Sequence, residues 1–431
     1  MKIMFVSLGC DKNLVDSEKM IGMLADKGFE FTDDESEAEV VVVNTCTFIH
    51  DAKEESINTL IEMGQYKTDG KLKALIATGC LAQRYHDEIR EQIPEVDAIL
   101  GTTAIEHIVE AVEEVLAGKR PEHMEDIQYL AATKGRRVVT TVGHFAFFNI
   151  ADGCDKFCTY CIIPKVRGRF RSVPMEDLLA EARDLAAQGV KELILVAQET
   201  TLYGVDLYGK KSLAELLHKL CEIDGLYWVR ILYCYPEEID DELIAAIRDE
   251  DKVVPYLDLP IQHASDSILK RMGRRTSNED LRRIIEKLRT EIPDIALRTS
   301  LITGFPGETQ EDHEELYRFV NEMEFDRLGV FTYSQEENTP AALMPDQIDE
   351  EVKEARRDEL MELQQEIAFE KAEDMIGRVL WCMIEGKVAD EEVYVGRTYK
   401  DAPNVDGYIF IQTSATLMTG DFVKVQVTDS N

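Results

Sequence analysis

The chain has 431 residues, 45% of them hydrophobic, enough for ordinary cores in about two to four domains. No apolar run approaches the roughly 20 residues that span a bilayer. The opening MKIMFVSLGCDKN has neither the apolar length nor the cleavage site of a secretory leader, so a cytoplasmic protein is expected. Acidic residues outnumber basic ones by 84 to 48, a net charge of −36. Such a surface repels phosphate backbones and attracts basic partners, or else serves solubility alone.

Residues 1–125 alternate short apolar runs with helical patterns. Strands are expected at Ile3–Leu8, Val40–Thr45, Ala74–Thr78 and Asp97–Leu100, and helices near Asp16–Lys27, Ala52–Gln65, Arg84–Gln92 and Ile105–Leu116. Continuous apolar strands read as a parallel sheet buried on both faces, so this is expected to be a doubly wound α/β domain. Gly118 to Arg137 reads as a mostly polar connection.

A second βα series is expected over residues 140–370. Its strands are Ala146–Ile150, Glu192–Val196, Trp228–Tyr233, Tyr256–Leu259, Ala296–Ile302 and Leu328–Tyr333; Met175–Ala187 and Leu281–Glu291 are among its helices. Six such units predict a partial (β/α)6 barrel, with its active site at the C-terminal strand ends. Asp349 to Asp374 reads as a charged amphipathic helix with Val352, Leu360, Leu363 and Ile367 near one face. Over 372–431 the pattern changes to short strands, Val379–Ile384, Val393–Val395, Tyr408–Ile411 and Phe422–Val427, between Gly, Asn and Asp turns. This predicts a small all-β barrel.

Six of the nine cysteines carry the chemistry. Cys154, Cys158 and Cys161 form CxxxCxxC with no fourth cysteine nearby. A closed zinc site or an electron-carrying 4Fe-4S cluster takes four ligands, so three thiolates leave a coordination position open. Cys10, Cys46 and Cys80 are far apart, but each directly follows an expected strand, in FVSLGC, VVVNTC and LIATGC. Ligands gather at the carboxyl ends of such strands, so these three are expected to converge on a second open site, one that holds a cluster rather than structural zinc; the alternative is three buried apolar thiols. Cys221, Cys234 and Cys382 fit neither set and read as core residues. A zinc site completed by His144 or His263, a plain iron–sulfur electron carrier and a zinc-bound scaffold are the competing readings.

CxxxCxxC opening a βα barrel, with Tyr160 in the aromatic slot before the last cysteine, resembles the radical S-adenosylmethionine (SAM) superfamily. With the three-thiol α/β domain and the terminal β-barrel, the whole chain resembles the methylthiotransferase family. That resemblance implies two 4Fe-4S clusters. Cys154, Cys158 and Cys161 would hold the SAM-binding one, where SAM is cleaved to a radical, and Cys10, Cys46 and Cys80 the one that carries or donates sulfur. SAM would serve as both methyl donor and radical source, and the small barrel (a TRAM domain) would help bind substrate. A sulfur source and an external electron donor of flavodoxin or ferredoxin type are implied as partners. Gln198, Asp258, Arg298 and Gly304, at or near barrel strand ends, are candidate SAM or substrate contacts, as are Glu199 and Gln262. Lys156, Lys165, Arg167, Arg169 and Arg171 surround the cluster loop, either balancing its charge or forming a solvated basic face.

The family's branches differ in substrate: an adenosine beside the tRNA anticodon, or the β-carbon of an aspartate in the twelfth protein of the small ribosomal subunit. SLGCDKNLVDSE, IADGCDKFCTYCIIPKVRGRFRS and DAPNVDGYIFI look like the second. The tRNA branch usually has Tyr-Gly-Cys-Gln-Met-Asn where this chain has Leu-Gly-Cys-Asp-Lys-Asn. From Ala372 onward five basic residues stand against ten acidic ones, a net −5. An RNA-binding barrel carries a basic face; an acidic one suits a basic ribosomal protein, so nucleic-acid binding is not expected. The tRNA reaction is the alternative.

Overall fold

The structure, a computed structural model, describes residues 1–131, 136–389 and 391–430. Its first sheet is six-stranded and wholly parallel, in the order Glu30–Phe31, Lys2–Ser7, Val40–Thr45, Ala74–Gly79, Ala98–Leu100, Glu122–His123. Val40–Thr45 and Ala74–Gly79 are buried throughout, as a sheet covered on both faces requires. The two outer strands are two residues long, too short for any periodicity, and the sequence reading missed both. Of the polar connection 118–137, residues 132–135 lie outside the described residues.

Two helix boundaries matter for the site. The first helix runs Asp11–Asp26, five residues earlier than its apolar pattern begins, because its first turn is polar. It therefore starts directly after Cys10. The expected helix Arg84–Gln92 is instead two, Cys80–Arg84 and His86–Gln92, broken at Tyr85, and the first begins on Cys80.

The second sheet is also parallel and follows chain order: Phe145–Asn149, Glu192–Val196, Trp228–Ile231, Val253–Asp258, Ala296–Thr303, Arg327–Thr332. Its outermost strands are not paired with each other, so the barrel is open. Helices cover its outer face, and the long helix Glu350–Glu373 buries Leu360, Leu363 and Ile367 there. Val352, expected on that face, is exposed. The inner face gathers Phe145, Phe147, Ile194, Val196, Trp228 and Tyr256 in one cluster with Val15 of the first domain and Met383 and Ala402 of the last. The last domain is a curled antiparallel sheet ordered Ile409–Gln412, Val393–Thr398, Val379–Lys387, Phe422–Gln426.

Buried ion pairs dock the last domain into the barrel. Glu192 accepts from Arg230 Nε and Arg397 Nη2, both at 2.8 Å, and all three side chains are fully buried. Arg397 also reaches Glu385 at 2.6 Å, and Arg230 donates to the Tyr399 carbonyl at 2.6 Å. The rings of Phe145 and Tyr256 lie beneath the Arg397 and Arg230 guanidinium groups. Removing one member of such a network strands the others without solvent. Glu192→Gln is expected to destabilise the barrel–terminal domain unit by about 3–5 kcal/mol, seen as a lower denaturant midpoint; an unchanged midpoint refutes this role.

Candidate active site

The auxiliary triad is built by three adjacent strands. Lys2–Ser7, Val40–Thr45 and Ala74–Gly79 are neighbours, and adjacent strands lie about 4.8 Å apart, so residues just past their ends meet. The chain's order reverses between the first two, which makes this the crevice of the doubly wound sheet. Cys10 follows the first strand, Cys46 the second and Cys80 the third.

The glycines before two of these cysteines are required. Gly9 has φ +84°, and a Cβ there would lie 2.7 Å from the Cys46 sulfur; Gly79 has φ +91°, and a Cβ would lie 2.2 Å from Asn44 Oδ1. Asn13 knits the loops. Its Nδ2 donates to the Leu8 carbonyl at 2.9 Å and the Thr45 carbonyl at 3.1 Å, and its Oδ1 lies 4.0 Å from Cys80 Sγ. Cys10 sits at the N-terminus of a 16-residue helix, near the Arg167 guanidinium. Cys10 is exposed, Cys80 half-buried and Cys46 buried. Burial pushes the Cys46 thiol up to about 12.

The second triad lies on the loop after Phe145–Asn149. Cys154 and Cys158 are buried and Cys161 is half-buried. The loop is tied down from several strands. The Gly153 N–H donates to Gln198 Oε1 at 2.7 Å, Cys154 N–H to the Gly168 carbonyl at 3.2 Å and Thr159 N–H to the Met272 carbonyl at 2.9 Å. Cys158 Sγ lies 3.6 Å from the Tyr235 hydroxyl. Burial pushes the Cys154 thiol up to about 11.

Both triads border one cleft. The buried Arg167 donates to Asp16 at 2.7 Å and Asn13 at 2.6 Å, and Lys12 pairs with Asp152 at 2.9 Å. Cys10's neighbour Asp11 lies 3.4 Å from the Tyr233 hydroxyl at the end of the third barrel strand, and burial raises its carboxyl to about 6. The stretch Ser334–Asn338 closes one side, where Glu336 takes Lys53 at 3.0 Å and Arg84 at 3.1 Å.

The donor set fits clusters better than a zinc ion. Four thiolates or nitrogens on zinc stand about 3.8 Å apart at a Zn–S distance of about 2.3 Å. Neither cysteine triad has donor atoms all within 4.8 Å of one another, and no histidine joins either one in such a group among the described residues. His144 instead pairs with Glu385 at 2.9 Å, and His263 Nδ1 accepts from Ser265 N–H at 2.9 Å. Beside the barrel triad two buried groups keep atoms with no hydrogen-bond partner among the described residues: Arg274 Nε and Nη1, and Glu199 Oε2, which lies 3.8 Å from Lys156 Nζ. Arg274 stacks over the Tyr235 ring at 4.2 Å. Arg274, past the helix Asp266–Met272, and Glu199, past the second barrel strand, thus offer free donor and acceptor atoms suited to a zwitterion such as the amino-acid end of SAM.

The other expected residues fall out as follows. Gln198 braces the cluster loop through Gly153. Tyr160 packs edge-on against Phe305 at 6.4 Å. Asp258 and Arg298 pair at 3.2 Å, Arg298 reaches Asp406 of the last domain at 3.4 Å, and Asp258 accepts from Tyr233 N–H at 3.1 Å, so both hold the cleft floor together. Gly304 has φ +70°, and the space a Cβ would take is filled by the Lys353 stem. Gln262 has φ +73° and donates its N–H to the Ser300 carbonyl. The basic residues divide. Lys156 is buried among Glu199, Glu237 and Glu238, Arg167 bridges domains, and Arg169 is exposed on Asp155. Lys165 and Arg171 donate to backbone carbonyls. Sequence reasoning missed Asn13, Tyr233, Tyr235 and Arg274; Asn13, three residues after a strand-end cysteine, carried the only local signal.

Comparison with known proteins follows the same divisions. Residues 2–101 match the uncharacterized protein family UPF0004, 148–320 the radical SAM superfamily and 376–431 the TRAM domain. Among solved structures, the radical SAM methyltransferase TsrM from Kitasatospora setae aligns with a TM-score of 0.56 over 90% of this chain and 79% of its own, at 15% identity, a likeness of fold alone. The ribosomal protein uS12 methylthiotransferase RimO of Lachnoclostridium phytofermentans is 66% identical over 100% of this chain and 98% of its own. RimO of Acetivibrio thermocellus is 50% identical over 99% and 95%, and that of Clostridioides difficile 48% over 100% and 97%. Full-length identity at this level, with both thiol triads in place, shows that the chain belongs to the RimO family of radical SAM methylthiotransferases.

Proposed function

We propose that this chain is a radical SAM methylthiotransferase that inserts a methylthio group at the β-carbon of an aspartate of ribosomal protein uS12. The observation that carries the reading is the pair of three-thiol sets, on separate domains, bordering one cleft. Family membership supplies the substrate, and the net −5 of the terminal domain suits a basic ribosomal protein.

Cys154, Cys158 and Cys161 would hold the SAM-binding 4Fe-4S cluster and Cys10, Cys46 and Cys80 the auxiliary one; when bound, these groups and SAM supply the electron, the carbon-centred radical, the sulfur and the methyl group. The chain's own residues fix geometry. Arg274 and Glu199 hold the charged ends of SAM against the loop. Asn13 and Arg167 set how far the two triads stand apart. Lys53 and Arg84 close the side of the cleft on Glu336 and limit water. A sulfur source and an electron donor of flavodoxin or ferredoxin type complete the reaction.

The direct test incubates reconstituted protein with uS12 and, separately, with tRNA, and reads the mass of one added SCH2. Modification of uS12 at an aspartate is expected; modification of tRNA alone overturns the substrate. Replacing Cys10, Cys46 and Cys80 by Ala is expected to remove about half of the bound iron, keep reductive SAM cleavage and abolish sulfur insertion. Loss of SAM cleavage as well contradicts the division of roles. In Arg167→Met both triads are expected to load iron, yet methylthio insertion should fall about 100-fold, since a misplacement of about 1 Å costs that much. 5′-Deoxyadenosine formation should fall far less; an equal fall in both denies Arg167 a spacing role.

A further inference from the structure

Away from the cleft, a second group of ligand-type side chains meets on the first domain. His107 ends the turn Ile105–His107, Glu110 lies in the helix Ile108–Leu116 that follows, and His123 ends the edge strand Glu122–His123. One donor atom from each, two ring nitrogens and a carboxylate oxygen, lie within 4.8 Å of one another. The two imidazole rings are parallel, at 3°, with centroids 5.0 Å apart.

What lies behind the rings separates this group from a chance patch of acids. His107 Nε2 is 3.1 Å from Glu125, and His123 Nε2 is 3.2 Å from Glu114. A carboxylate on Nε2 holds the proton there and leaves the lone pair on Nδ1, which is how metal-ligating histidines are oriented. His107 Nδ1 faces Glu110 Oε2 at 3.2 Å, and with the ring proton on Nε2 the two are acceptor against acceptor. A cation between them resolves that contact. Zinc with two imidazoles and one carboxylate is an ordinary set, at bond lengths of about 2.0–2.2 Å.

We propose that His107, Glu110 and His123 bind a divalent transition ion of the zinc class, with Glu125 and Glu114 as the carboxylates that orient the two rings. The ion would fasten the edge strand to the helix. Its position also reaches toward the barrel. Gln128, five residues beyond His123, accepts from the Arg169 N–H at 3.1 Å, and the Ile127 carbonyl lies against Gly168, whose own carbonyl accepts from Cys154 N–H. A tie at His123 therefore steadies the segment that braces the barrel cysteine loop. This site is independent of the substrate assigned above.

The test uses tag-free, full-length protein with both clusters reconstituted, so that the six thiols are occupied. It is freed of loose divalent ions and titrated with Co2+ and then Zn2+. About one Co2+ per chain is expected, with visible d–d bands that Zn2+ abolishes. His123→Ala and Glu110→Gln should lose that binding at unchanged iron content and circular dichroism. Glu125→Gln should weaken it about 10–100-fold, as the loss of an orienting carboxylate does. Absence of binding to the wild-type chain, or binding that these variants leave unchanged, overturns the site. If His123→Ala disturbs the strand, Glu110→Gln, on an exposed helix position, decides alone.

Discussion

The two thiol sets lie on different domains, and the buried guanidinium of Arg167 is the tie that joins those domains beside both sets. Arg167 stands six residues past the last barrel cysteine and reaches into the first domain, where it grips Asp16 and Asn13. Asn13 in turn spans the loops that carry Cys10 and Cys46. A planar fork with fixed donor directions transmits position in a way a lysine ammonium does not. A second buried pair, Arg137 with Glu18 at 2.6 Å, pins the same helix to the first barrel strand. Lys12 with Asp152, and Lys53 and Arg84 with Glu336, add ion pairs across the same boundary, while the apolar contacts around Val15 resist separation without fixing register.

The open barrel explains why so many buried charges are needed. A closed barrel fills its own interior with side chains, but here the two outer strands never pair. The interior is completed from outside, by Val15 above and by Met383, Ala402 and Arg397 of the last domain. Glu192, Arg230 and Arg397 therefore replace an apolar plug with a charged one. Such a network is costly to desolvate, and it fixes how the last domain is oriented on the barrel. Arg298 and Asp406 extend the same logic to the cleft floor.

The chain's acidity and its cationic site follow one division. Most of the excess carboxylates lie on surfaces, where they cost little and favour a basic partner. The cations are spent inside: Arg167, Arg230, Arg274 and Arg397 are all buried. Arg167 and Arg274 thus stand beside the two thiol sets, inside a molecule whose net charge is −36.

Much of this was legible in the chain. Periodicity located the long elements, because a strand buried on both faces must be apolar and a helix on a core must repeat near 3.6 residues. The CxxxCxxC spacing and the three strand-end cysteines marked the two thiol sets, since strand ends are fixed points of a doubly wound sheet. The two-residue edge strands escaped, being too short for any pattern. Asp258, Arg298 and Gly304 were legible as strand-end residues but not in their contacts: Asp258 and Arg298 are paired with each other, and Gly304 makes room for Lys353, 49 residues away. Asn13, Arg274 and the Glu192 network were hidden for the same reason. Their partners lie tens to hundreds of positions off, and no local signal carries a long-range pairing. The sequence by itself determined which thiols form the two sets and which elements present them. Tertiary structure alone decided that the two sets face one cleft, because that depends on which charges are buried together when the domains close.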